Sequence, residues 1–298
     1  MEIIRTIDWM KQVSRAAREK GLSIGFVPTM GALHEGHLSL VRTAAAGNSP
    51  VVVSIFVNPA QFGPQEDFSK YPRQLEKDSA LLEAAGVDYL FTPDAAEIYP
   101  PNFRTYVNVE GLGDRLEGKS RPGHFRGVTT VVLKLLEIVQ PRAAFFGRKD
   151  AQQARVLRQM ACDLNLDAEI AVEPIVREAD GLAMSSRNAY LNAEERRAAT
   201  SLSRALAAAA ARIQSGERNA AALIETARTT LAGEPLVRPD YIELVSEDTF
   251  EPVAVVGAPS LLLIAAFVGS TSSKGKATRL IDNLLVTPNS GGGFLTTL

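Results

Sequence analysis

The sequence predicts an α/β protein: a doubly wound parallel sheet followed by a smaller C-terminal α+β domain. Three observations carry that expectation. Short apolar runs alternate with helical patterns through the first 174 residues, as parallel strands crossed by helices require. The run Val51-Val52-Val53-Ser54-Ile55-Phe56-Val57 is nearly continuous in apolar residues, which suits a strand covered on both faces. After Pro174 the alternation gives way to a long alanine-rich stretch and then to separate strand-like runs.

Taken in order, residues 1–20 are amphipathic and charged and lack the apolar core of a signal peptide. Strands are expected at residues 24–28, 51–57, 89–92, 143–146 and 168–172, with helices near 38–46, 74–85, 128–138 and 152–163. In the second part, residues 193–214 read as one helix, with Asn192 as its cap and Gly216 beyond its end. A further helix is expected at 220–232, and strands at 241–245 and 261–267. The expected domains are residues 1–174 and 175–286, the second closing over a site on the first. A disordered, glycine-rich tail is expected at 287–298.

Composition narrows the function classes. With 32 basic against 34 acidic residues, the chain has no overall positive field for a nucleic-acid backbone. The longest apolar run, residues 261–268, falls well short of a membrane span. Cys162 is the only cysteine, so no disulfide framework exists. The expectation is a cytoplasmic enzyme or binding protein.

The most informative segment is Phe26-Val27-Pro28-Thr29-Met30-Gly31-Ala32-Leu33-His34-Glu35-Gly36-His37. It reads as a buried strand, a glycine turn, and two histidines where a helix begins. Three residues apart near a helix start, both rings can face one side. Gly36 lets a ligand approach the backbone, and the positive end of the helix favours an anion such as phosphate. Two other readings compete: a metal site completed by His124 or carboxylates, and a purely structural helix start.

Two other polar turns, Asn58-Pro59-Ala60-Gln61 and Gly147-Arg148-Lys149-Asp150, follow later strands and fall on the same expected sheet edge, while Met184-Ser185-Ser186-Arg187 sits near the expected domain boundary. Gly147-Arg148-Lys149-Asp150 supplies a cation, although a surface lysine is the plain alternative. Met184-Ser185-Ser186-Arg187 offers two hydroxyls and a guanidinium to phosphate oxygens, or forms a solvated loop. Gln61 and Gln153 are neutral donor–acceptor groups suited to a small substrate's oxygens. The segment Arg121-Pro122-Gly123-His124-Phe125-Arg126-Gly127 either adds to the phosphate site or caps a helix. Residues 62–70, rich in Gly, Pro and polar residues beside Gln61, are the expected lid.

These motifs, with Tyr71-Pro72-Arg73, Gln152-Gln153 and Asp180-Gly181-Leu182-Ala183 leading into the serine pair, occur in the order found in the pantothenate synthetase family. The resemblance runs from the N-terminus to Arg279-Leu280-Ile281-Asp282-Asn283, leaving out the tail and residues 272–276. It implies a Rossmann-like N-terminal domain, a homodimer, Mg²⁺, and ATP-dependent condensation of (R)-pantoate with β-alanine through a pantoyl adenylate. Carried over by position, it puts Met30, Gly31, Ala32, Leu33, His34, Glu35, Gly36 and His37 on ATP, with His37 as proton donor. Gly147, Arg148, Lys149, Asp150, Val176, Met184, Ser185, Ser186 and Arg187 would complete that site. His34, His37, Lys149 and Arg187 would be catalytic. Met30, Gln61 and Gln153 would bind pantoate, Gln61 also β-alanine, and Asp78 would stand near magnesium. Arg148 departs from the family, which usually has Glu or Gln there. The runners-up are a related adenylyltransferase for another acid or a tRNA, and a non-catalytic nucleotide-binding protein.

Overall fold

The structure, a computed structural model, describes residues 1–64, 66–269, 277–289, 291 and 293–298. Residues 272–276, expected to depart from the family pattern, lie outside the described residues. By its internal contacts the chain divides into two compact units. The first comprises Met1–Arg148 and Gln152–Pro174, and the second Lys149–Ala151 and Ile175–Leu298.

In the first unit, β1 (Glu2–Ile4), α1 (Ile7–Glu19), β2 (Gly25–Thr29), α2 (Glu35–Gly47), β3 (Val51–Ile55) and α3 (Leu75–Ala84) follow in order. Then come β4 (Tyr89–Phe91), the short α4 (Ala95–Ile98) and α5 (Glu117–Ser120), α6 (His124–Val139), β5 (Ala143–Gly147), α7 (Ala151–Asp163) and β6 (Glu169–Glu173). Their strands form one parallel sheet in the order β1-β4-β3-β2-β5-β6. Consecutive residues of a strand point to opposite faces, and here both faces are dry. Phe26, Val52 and Ala144 join α1, α6 and α7 in one core, while Val27, Val53 and Ala143 join α2 and α3 in the other.

Chain order reverses at β2: β3 lies on one side of it and β5 on the other. Such switch points, at the carboxyl ends of the strands, are where open α/β sheets bind ligands. Pairing shows why this one is open. β2 pairs with β3 as far as Thr29↔Ile55, but with β5 only at Gly25↔Ala143 and Phe26↔Ala144. The Ile24 carbonyl faces β5, accepting from Arg142, whereas Gly25 and Thr29 bond toward β3. By alternation the backbone nitrogen of Pro28 faces β5, and proline has no hydrogen to donate. The two central strands therefore part beyond Phe26.

The second unit contains α8 (Ala193–Ala199), α9 (Ser201–Gln214) and α10 (Ala220–Ala232). Its antiparallel sheet is ordered β10-β9-β8-β7, with β7 at Val237–Ser246, β8 at Ser260–Val268, β9 at Thr278–Pro288 and β10 at Phe294–Thr297. Leu202, Leu206, Leu223, Leu262, Ile264 and Leu284 meet in its core. The single helix expected at 193–214 breaks at Thr200, whose hydroxyl donates to the Arg197 carbonyl.

The tail corrects the sequence reading. Residues 287–298 were expected to be disordered, yet β10 pairs with β9 from Phe294↔Pro288 to Thr297↔Leu285. Asn289 makes the turn: its side-chain oxygen accepts from Gly291 and Gly293 at 3.0 and 2.9 Å. Gly291 and Gly293 serve a hairpin, and Phe294 packs against the core under the Arg218 guanidinium.

Candidate active site

At the open end of β2, the Thr29 hydroxyl donates to the Ser54 carbonyl and accepts from the Gly31 amide. Gly31 and Ala32 then take positive φ values of 82° and 52° and reverse the chain. Glycine suits that conformation, whereas Ala32 adopts it under strain. Asp78 on α3 holds the turn: its two oxygens accept from the Ala32 and Leu33 amides, each at 2.9 Å. The side chain is 1% exposed.

The braced turn delivers His34 to the start of α2. The His34 amide donates to Nδ1 of His37 at 3.3 Å, and the two rings lie with centroids 4.1 Å apart, tilted by 37°. Because Nδ1 accepts, a neutral His37 carries its proton on Nε2, which makes that nitrogen a donor. The Glu35 carboxylate pairs with Arg42 and is exposed.

Gln61 lies on the 3-10 turn Pro59–Gln61 that follows β3. Asn58 Nδ2 donates to Gln61 Oε1 at 3.0 Å and to the Gly127 carbonyl at 3.1 Å. Asn58 Oδ1 accepts from the Tyr99 hydroxyl at 2.8 Å, and burial holds the Tyr99 pKa above its ordinary value, so the phenol stays a donor. The Gln61 amide nitrogen is thereby turned toward the Met30 sulfur, 3.2 Å away, a weak acceptor that leaves its second N–H to offer.

Gly127 lets this turn lie against α6. A Cβ there would sit 2.2 Å from the Ala60 carbonyl oxygen and 2.6 Å from the Gln61 nitrogen, both backbone atoms. Gly127→Ala is expected to lever the turn away from α6, at a cost of about 2 kcal/mol in stability. Thermal melting of the variant against the parent checks this.

The basic segment at 121–127 serves as an anchor. Arg121 pairs with Glu66 at 2.6 Å and donates to His124 Nε2 at 3.0 Å. With Nε2 accepting, Nδ1 of His124 donates to the Gln61 carbonyl, 2.9 Å away. Glu66 belongs to the expected lid, in which Phe62 also meets Phe68 and Tyr71 edge-on; Gln65 lies outside the described residues.

Burial, aided by Arg121, lowers the His124 pKa from 6.5 to about 4. Between those values the unfolded chain binds the proton and the folded one does not. Stability therefore falls as pH drops through that window, by about 3 kcal/mol in all. Urea titrations between pH 7 and 4 should show this loss, and His124→Gln should flatten it.

Gln153 is half-buried on the first turn of α7. Its neighbour Gln152 is buried and spent on backbone, donating to Leu112 and Arg115 and accepting from Glu117.

In the second unit, the Lys149 ammonium lies 3.3 Å from the Asp150 carboxylate. Arg148 shares their 3-10 turn, half-buried, directly after Gly147 at the end of β5. The Met184 amide donates to the Val176 carbonyl. The Ser185 hydroxyl accepts from the Arg187 amide and starts the 3-10 turn Ser186–Tyr190, on which Ser186 and Arg187 are half-buried. That turn is tied from behind: Asn188 donates to Glu178 and the Ala183 carbonyl, while Arg196 grips Glu178 and Asp180.

Asp78, which the resemblance put near magnesium, has each of its oxygens engaged by an amide of a buried turn. Among the described residues no group of three or more His, Cys, Asp or Glu is arranged to hold a metal. Magnesium prefers waters and phosphate oxygens with near-ideal octahedral geometry, and these residues do not fit a resident ion. The sequence reading named Asn58 and Gly127 only as members of motifs, without their supporting contacts, and it passed over Tyr99. The Asn-Pro pair that ends the second apolar run was the available signal for the first of them.

A parallel sheet parted at its switch point, with a His-x-Gly-His helix start at the opening, defines an enzyme of the nucleotidyltransferase class. No described helix is long and apolar enough to cross a membrane. The chain belongs to the pantoate–β-alanine ligase family, whose model matches residues 2–285. It is 54% identical over 286 residues to the pantothenate synthetase of Thermotoga petrophila, covering 96% of this chain and 100% of the relative. Its structure is similar to that of pantothenate synthetase from Thermus thermophilus, with a TM-score of 0.87 and 44% identity over 95% of this chain and 99% of the other. It is also similar to the Francisella tularensis pantoate–β-alanine ligase crystallised with β,γ ATP and β-alanine, with a TM-score of 0.76 and 34% identity over 96% and 97% of the two chains.

Proposed function

We propose that this chain condenses (R)-pantoate with β-alanine, using ATP and releasing AMP and pyrophosphate by way of a pantoyl adenylate. The observation that carries the reading is the oriented histidine pair at the parted strands. Family membership along nearly the whole chain supports it.

Pantoate is already a carboxylate at neutral pH, so its attack on the α-phosphorus needs no base. The barrier is electrostatic: an anion approaches a polyanion while charge gathers on the departing pyrophosphate. Preorganised donors lower such a barrier because they need not reorient as charge develops. His37 offers Nε2–H, with its Nδ1 held by the backbone, and the tilted His34 ring lies beside it. In this reading residues 30–37 face ATP, joined by Gly147, Arg148, Lys149, Asp150, Val176 and the segment Met184, Ser185, Ser186 and Arg187. Lys149 exchanges its resting partner Asp150 for phosphate. Met30, Gln61 and Gln153 hold pantoate, and Gln61 also meets β-alanine. The amine then attacks the acyl carbon of the adenylate and displaces AMP.

Magnesium in this reading arrives with the triphosphate, and no step here depends on a protein-held ion. The reading includes a homodimer in the cytoplasm and a 62–70 segment that shields the adenylate from water. The test is AMP release measured with pantoate and β-alanine supplied singly and together. AMP formation that requires both supports the proposal, and turnover indifferent to either acid or amine overturns it.

A further inference from the structure

β9 carries two consecutive polar residues, Asp282 and Asn283, that are 2% and 1% exposed. Neighbours along a strand point to opposite faces, so this dipeptide places one polar group on each side of the sheet. Asp282 interrupts an apolar row formed by Leu280, Leu284 and Val286. Burying a carboxylate there is unfavourable unless it is paired and hydrogen-bonded. Arg177 supplies the pair, with its two terminal nitrogens 2.7 and 2.9 Å from the two carboxylate oxygens. The same guanidinium donates to the Gly181 carbonyl, within the hairpin closed by the Arg177↔Ala183 bridge. That hairpin leads directly into Met184 and the serine pair. On the other side, Asn283 Nδ2 donates to the Lys149 carbonyl at 3.1 Å.

Two hydrophobic residues of similar size would fill these places without the need for partners. What the polar pair adds is direction: one strand holds both segments to which the ATP role of this unit is given. We propose that Asn283 is a positioning residue for Lys149, with Asp282 acting likewise on residues 176–187 through Arg177. This rests on the ligase reading above. In this proposal Asn283 sets where the Lys149 backbone lies, and so where the ammonium meets phosphate. A displacement of about 1 Å in such a group costs on the order of a hundredfold in rate.

The experiment is a double-mutant cycle on pyrophosphate release from ATP and pantoate, using Asn283→Ala and Asn283→Ser with and without Lys149→Ala. Asn283→Ala is expected to lower kcat roughly ten- to hundredfold with the KM for pantoate unchanged. Asn283→Ser, which keeps a donor on a shorter arm, should recover part of that loss. In the Lys149→Ala background either change should have little further effect, because groups acting as one unit are not additive. Activity of Asn283→Ala within twofold of the parent overturns the proposal, as does a full additional loss on top of Lys149→Ala. Failure of both Asn283 variants to fold, judged by circular dichroism, overturns it too and assigns the residue to stability. If Lys149→Ala itself turns over like the parent, the ligase reading of Lys149 fails instead, and the two results are distinguishable.

Discussion

His37→Ala is expected to slow pyrophosphate release from ATP and pantoate about a hundredfold or more, or roughly 3 kcal/mol of transition-state stabilisation. The loss should fall on kcat, because the donor matters most as charge develops on the departing group. Melting temperature should change little, since the ring is half-buried and its hydrogen bond from the His34 amide is long at 3.3 Å. His37→Gln, which keeps an N–H donor on a flexible arm, should recover a fraction of the rate. Turnover of His37→Ala near that of the parent would remove the ring from the mechanism.

Asp78→Ala is expected to be the most damaging change to the first unit. It leaves the buried Ala32 and Leu33 amides without their acceptor. Orphaned donors of this kind should lower stability by roughly 3 kcal/mol, or about 6–12 °C in a unit of this size. Activity should vanish with it, because the turn that holds Ala32 at positive φ also places Met30 and both histidines. The fall in melting temperature should be the same with and without magnesium. A fall that appears only when the ion is present would restore the carboxylate to a metal-binding role.

Much of the fold was legible because burial on both faces leaves a plain mark. The unbroken valines at 51–53 announced a central strand, and the glycine turn before the histidines announced where β2 ends. β1 was not legible: it has three residues, two of them exposed, so it shows no periodicity. α6 starts at His124 rather than near 128 because Gly123, at φ 83°, turns the chain into the helix earlier than the apolar face begins. The tail was misread because glycines in a row resemble a linker, while the asparagine that organises them bonds only in three dimensions.

The site was legible as chemistry but not as architecture. Histidines, glutamines, a lysine and a serine–arginine segment are residue types that bind phosphate and small acids, and their order along the chain named a family. Their supports were hidden, since each depends on a partner far away in sequence. Asp78 reaches back 46 residues to Ala32, Tyr99 reaches Asn58 across 41, and Asn283 reaches Lys149 across 134. No local pattern encodes such pairings.

Pro28 has a consequence for anyone reshaping this enzyme. At Pro28 the backbone offers β5 no hydrogen, and pairing between the two central strands ends before it. Substituting a typical strand residue such as valine would restore a backbone donor on the side that faces β5 and favour closer pairing of the two strands. Libraries that randomise the cleft should therefore leave this one ring alone, since the width of the entrance is written in the main chain.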